Sequence, residues 1–185
     1  MTQTAIETAR LQLLPYAPRH VLALLDSVEA FERAMGLRCA EGLRDFMVSD
    51  DVSPAYLARL HVSDALDAPD PWVHGFAVVL RESPAVIGSA GFKGPPDDEG
   101  MVEIAYGIVP VHQGQGFATE AAAALCAFAV GSGQVRLLRA HTLPTANAST
   151  RVLAKCGFAS TGEVVDPEDG RVWRWERTDL SPPRV

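Results

Sequence analysis

The run Gln113-Gly114-Gln115-Gly116 stands directly before an alanine-rich apolar stretch, Phe117 to Val130. A first helical turn leaves its backbone N–H groups without partners, and the macrodipole adds partial positive charge there. The chemistry that suits such a place is anion binding, above all of a phosphate. Gly114 and Gly116 let a bulky group approach where a β-carbon would intrude. Ala118 and Ala121 to Ala124 let the helix behind them pack close to a sheet or to a ligand arm. No Lys-Ser or Lys-Thr pair follows, and Thr119 breaks a GxGxxG, so neither nucleotide-loop pattern is met. Alone, the stretch reads equally as a phosphate cradle or as a glycine-softened helix start.

Other groups offer less. His74, His112 and His141 have no metal-ligand spacing and read as surface or satisfied core residues, and no metal is expected. Cys39, Cys126 and Cys156 are odd in number and lack a CxxC, as in reduced, buried thiols of a cytoplasmic protein. No base accompanies Cys126 that would make it an acyl-carrying nucleophile. Trp173 and Trp175 alternate about Arg174, as residues that pack against a helix or a homodimer partner.

At 185 residues and 48% hydrophobic, the chain suits one domain spanning 1–185 with a real core. A net charge of -7 gives no basic field for nucleic acid and suits a cationic substrate such as an amine. No apolar run reaches the ~20 residues that cross a bilayer, so no membrane partner is expected. The opening MTQTAIETAR lacks the apolar core of a secretory signal.

The elements that must position the loop follow from periodicity. Residues 7–16 alternate as a strand, and Pro18 opens a helix with Val21, Leu22, Leu24 and Leu25 on it. Residues 26–52 read as short helices and loop. Ser53 and Pro54 open a second helix over 53–68. Strands are predicted at 72–80, 85–93 and 100–109, joined by hairpins. A helix over 117–131, a strand over 134–143, a helix over 145–156 stopped by Gly157, and a hairpin around PEDG complete the order. The expected class is α+β: a central mixed, mostly antiparallel sheet of six to seven strands with helices on both faces.

Gln113-Gly114-Gln115-Gly116-Phe117-Ala118 also resembles the Gln/Arg-x-x-Gly-x-Gly/Ala pattern of the GNAT acyltransferase superfamily. Thr8-x-Arg10-Leu11, Glu120-Ala121 and NASTRVLAKCGF (147–158) are similar to its ribosomal-protein N-terminal acetyltransferase branch. The resemblance covers nearly the whole chain in order. It implies the acyl-CoA N-acyltransferase fold, acetyl-CoA as co-substrate and a primary amine as acceptor. It further implies coenzyme contacts at Ile108, Val109, Gln113, Gly114, Gln115, Gly116, Phe117, Ala118, Thr119 and Asn147. The strand before the loop would splay from its neighbour, and an amide at Ile108 or Val109 would polarise the thioester carbonyl.

Acetyl transfer requires a neutral amine, so a base is expected, acting directly or through water. Glu103 is the choice, since it shares a strand face with the small Ala105, Gly107 and Val109. An ion pair at a sheet edge is the alternative use of that carboxylate. For the proton to the leaving thiolate, the branch has Asn-x-x-Ser, whereas here Asn147 and Ser149 are two apart. Counting back from Gly157-Phe158 matches Ser149, and both residues also suit a helix N-cap. A catalytically silent acyl-CoA sensor or scaffold, or an unrelated α/β nucleotide-binding protein, are the competing classes.

Overall fold

A computed structural model of the chain describes residues 5–48, 66–167 and 169–180. The helix expected over 53–68 lies largely outside them. In chain order the elements are β1 (Ile6–Glu7), β2 (Leu11–Pro15), α1 (Pro18–Asp26), α2 (Val28–Met35), β3 (Arg38–Cys39) and α3 (Leu43–Met47). Then come α4 (Pro71–His74), β4 (Phe76–Leu80), β5 (Ala85–Phe92), β6 (Met101–Ile108) and α5 (Phe117–Gly131). They end with β7 (Leu137–Thr142), α6 (Ala148–Lys155), β8 (Ala159–Asp166) and β9 (Gly170–Arg177). The strands run β1-β2-β4-β5-β6-β7-β9-β8, with β3 added in parallel beside β5. The mixed, mostly antiparallel sheet agrees with the sequence; the six or seven expected strands become nine among the described residues because β1 and β3 are two-residue pairings too short to show a period.

One stretch folds differently from its pattern. Residues 72–80 read as a single strand, yet α4 occupies their start. Asp70 accepts a hydrogen bond from the Trp72 N–H at 2.9 Å and Pro71 sits at the first helical position, both helix-start signals. Gly75 ends the turn at φ 71, and an added β-carbon there would lie 2.9 Å from the Ala90 carbonyl. The turn places Trp72 against Phe92 and Phe128, at ring distances of 4.6 and 5.2 Å. Burial of these rings outweighs the strand preference of the aromatic and β-branched residues.

The centre of the molecule is the pair β5–β6. Its antiparallel register runs from Gly88↔Ile108 to Phe92↔Ile104. Against it packs α5, which buries Phe117, Ala121, Ala122, Leu125 and Ala129. Its alanines bring that helix close to the sheet, as its composition suggested. On its other edge β6 pairs with β7 only through Met101↔Leu137, Val102↔Leu138 and Glu103↔Arg139. Beyond Glu103 the two strands part, while β7 continues along β9 to Thr142↔Trp173.

The close approach of β5 and β6 leaves no room at Gly88, where an added β-carbon would meet the Gly107 carbonyl oxygen. Gly88→Ala should therefore destabilise the fold by about 1–3 kcal/mol, the usual cost of overpacking. Urea unfolding measures it, and an unchanged midpoint would contradict this packing.

Candidate functional site

Gln113 begins the loop, and its side-chain amide donates to the Ile108 carbonyl at 2.8 Å, tying the loop to the end of β6. Gly114 and Gly116 follow at φ 76 and 85, a region open to glycine. Gly116 is the N-cap of α5 and brings no side-chain cap. Among the described residues, the N–H groups of Gly114, Gly116, Phe117 and Ala118 meet no acceptor. A β-carbon at Gly114 would point into open space, so the glycine there serves the backbone turn rather than a tight contact.

The loop is braced from the N-terminus. Glu120, in the first turn of α5, accepts from the Thr8 hydroxyl at 2.6 Å, the Arg10 N–H at 2.7 Å and the Arg10 guanidinium at 2.8 Å. Arg10 also donates to the Gln115 carbonyl at 2.9 Å and lies 4.5 Å over the Phe117 ring. Burial would raise the Glu120 pKa, but the hydrogen bonds from Thr8 and Arg10, with the Arg10 charge, hold it below the usual carboxylate range. The Thr8-x-Arg10 and Glu120 segments, read separately in the sequence, are thus one clamp.

A cavity of about 510 Å³ lies between this loop, the end of β6 and α6. Ile108, Gln113, Gly114, Gly116, Phe117, Ala118 and Thr119 line it, as does Ser149. Three expected coenzyme residues lie elsewhere. Val109 is fully buried and its N–H donates to the Ile87 carbonyl at 2.9 Å, so that amide is not free for a thioester. Gln115 faces the opposite flank of the loop, beside Arg10 and Arg81. Asn147 caps α6, its side chain accepting from the Thr150 N–H at 3.1 Å. Arg151 and Lys155, not foreseen, line the same cavity from α6. Their spacing with Ala148 and Val152 marks one helix face and is visible in the sequence. Bare amides, two cations and small residues fit a pyrophosphate followed by a slender arm.

Where β6 and β7 part, a second cavity of about 190 Å³ is lined by Glu103, Lys93, His141, Tyr106, Ser149 and Asp169, among others. Tyr106 and Ser149 line both cavities. Glu103 Oε1 lies 3.1 Å from Lys93 Nζ and 3.0 Å from His141 Nδ1. Burial lowers the Lys93 pKa, but the bond and charge of Glu103, with Asp169 and Asp166, more than reverse this and keep it charged. Tyr106 donates to the Ser149 carbonyl at 3.4 Å, and burial pushes its phenol pKa upward, so it stays protonated. A third cavity, of about 390 Å³, lies where Phe46 covers Gly107, with Val73, Ser89, Phe92 and Ala105 in its walls.

The remaining candidates are structural. Cys126 and Cys156 are buried and free, and burial, then its neighbour Cys156, pushes the Cys126 thiol up to about 12. Trp175 donates to the Thr142 hydroxyl at 3.1 Å and packs against the core. His141 departs from expectation: side-chain exposure is 9% and its Nε2 is buried without a hydrogen-bond partner among the described residues, so it is neither a surface nor a satisfied residue. No group of His, Cys, Asp and Glu suited to a metal occurs among the described residues, and no helix there is long and apolar enough to cross a membrane.

Residues 10–159 match the family model described as an acetyltransferase (GNAT) domain. A Bacillus subtilis (strain 168) protein named uncharacterized N-acetyltransferase YjdG is 30% identical over 89 residues, 48% of this chain and 51% of that protein. The match thus spans about half the length of that relative. The fold is similar to that of RimL, a ribosomal alpha-N-protein acetyltransferase in complex with coenzyme A, with a TM-score of 0.63 at 18% identity, covering 95% of this chain and 98% of that one. It is also similar to a Salmonella typhimurium acetyltransferase described as modifying the N-terminal serine of a 50S ribosomal subunit protein, with a TM-score of 0.62 at 18% identity, covering 95% and 99%.

The clamp sets a pH dependence. Because the folded pKa of Glu120 is depressed, its stabilisation is complete above the ordinary value of 4.5 and is lost as pH falls through the lower folded value. Glu120→Gln should flatten the acid side of the stability curve below that pH. Denaturant midpoints taken between neutral pH and pH about 3 measure the slope, and parallel curves for the two proteins would contradict the clamp.

Proposed function

The chain belongs to the GNAT acetyltransferase family, and on that premise we propose that it transfers the acetyl group of acetyl-CoA directly to a primary amine in a ternary complex. The observation that carries this reading is the set of amides at Gly114, Gly116, Phe117 and Ala118, unpaired among the described residues, on a cavity lined by Tyr106, Gly107 and Ile108 at the end of β6. Those amides, with Arg151 and Lys155, would hold the pyrophosphate of the coenzyme, and the pantetheine arm would lie along the freed edge of β6. When bound, acetyl-CoA supplies the thioester to be attacked. The acceptor would enter through the cavity beside Phe46, past Ala105 and the Phe46-covered Gly107.

The acceptor is a protein N-terminus or a small-molecule amine. An N-terminal amine with a pKa near ~8 costs only about 1 kcal/mol to deprotonate at neutral pH, against roughly 4–5 for a lysine. Glu103 is the base of the site, acting directly or through an intervening group, and Ser149 provides the proton for the departing thiolate. Glu103 lies at the last paired residue before the strands part, and Ser149 lines both the fork cavity and the coenzyme cavity.

A panel of amines and N-terminal peptides with acetyl-CoA, read by free thiol and by acetylated product, tests the reading. Glu103→Gln should lower kcat at least ~10²-fold with coenzyme affinity unchanged, the usual scale of general-base catalysis. Full activity in that variant would remove Glu103 from the reaction, and product formation on no amine would defeat the transferase reading itself. Ser149→Ala should lower kcat more modestly, by roughly 10-fold, because water can also supply a proton to a thiolate.

A further inference from the structure

We propose that His141 is the group that takes the acceptor's proton, with Glu103 holding it in the required tautomer. This rests on the transferase reading above and names the intervening group at its base. Glu103 Oε1 already accepts from the Lys93 ammonium, at 3.1 Å. A carboxylate oxygen only accepts, so the 3.0 Å contact to His141 is a bond donated by Nδ1–H. The proton of a neutral imidazole is then on Nδ1, and Nε2 carries the lone pair.

That lone pair is out of place for a structural histidine. Nε2 is buried and has no partner among the described residues, although buried acceptors are nearly always satisfied. His141 lines the cavity at the fork, together with Ser149 and Tyr106, which also line the coenzyme cavity. An amine that displaces the contacts covering this nitrogen from the cavity side would provide the missing donor. Glu103 is the less suitable acceptor, because a proton on Oε1 would break its ion pair with Lys93. A proton on Nε2 instead makes an imidazolium that the Glu103 carboxylate stabilises, the arrangement that orients a histidine base in hydrolase triads.

Charged groups of both signs surround His141. Glu103 faces it from β6, with Lys93 and Asp169 beyond, and Arg174 is its cross-strand partner on β9. An ammonium acceptor gives one proton to His141 Nε2, and the neutral nitrogen attacks the thioester carbonyl carbon. The C–N bond forms and the C–S bond breaks, with the pair leaving on sulfur. Ser149 gives its hydroxyl proton to the thiolate and takes the second nitrogen proton in its place, leaving amide, free thiol and a protonated His141 that then discharges to solvent.

Two measurements decide it. Long-range ¹H–¹⁵N spectra of the unaltered protein, with His141 assigned through the backbone, should show the Nδ1–H tautomer at pH about 8, above the ordinary histidine pKa. A proton on Nε2 under those conditions overturns the proposal. His141→Asn retains a donor toward Glu103 but cannot take a proton, and with acetyl-CoA and serine-initiated peptides its kcat should fall at least ~10²-fold at unchanged coenzyme affinity. Wild-type kcat in His141→Asn removes the role of His141 while leaving the transferase standing. Transfer to no amine by the unaltered protein refutes the transferase reading, and this role with it, whichever tautomer is found.

Discussion

The parting of β6 from β7 after Glu103 and Arg139 is the constraint on which the site depends. A strand in mid-sheet normally has both edges paired, and an unpaired buried edge is costly. Here β6 keeps its pairing to β5 through Ile108 while its other edge is released from Ile104 onward. The released edge of β6 and, beyond the paired residues 109–113, the amides at the start of α5 then present backbone groups to the site. Glu103 sits at the last paired position, so the same geometry that opens the slot fixes a carboxylate at its closed end.

A slot of bare amides is useful only if it is held open, and the holding comes from far away in sequence. Thr8 and Arg10 close on Glu120 across more than a hundred residues, and Arg10 reaches past it to the Gln115 carbonyl. The loop is thereby fixed at its outer flank by a side chain and at its inner flank by Gln113 on Ile108. Rigidity before binding reduces the ordering cost of the ligand complex. The clamp uses an acid in the first turn of α5, where the helix dipole also favours negative charge.

Much of this was legible in the residues. The helix of 117–131, the hairpin order and the glycine loop were each signalled by period, turn residues and spacing, and the family resemblance pointed to the coenzyme proposed as ligand. The Asp70-Pro71 start and Gly75 stop of α4 were also present, but a run of aromatic and β-branched residues concealed them, and only the packing of Trp72 on Phe92 and Phe128 decides between the two. The Lys93–Glu103–His141 cluster was hidden for another reason. It joins β6, β7 and the residue just after β5, whose register no local pattern specifies, so neither lysine nor histidine announces a partner. Val109 shows the converse: its position matched a coenzyme contact, yet its amide belongs to the sheet.

Amide hydrogen exchange with and without coenzyme A tests the central claim most directly, because it reads the groups that are to bind. Protection is expected at Gly114 to Ala118 and along the released edge of β6, with β8 and β9 unchanged. Coenzyme binding that leaves 114–118 exchanging as before, or that protects only a distant face, would contradict the account.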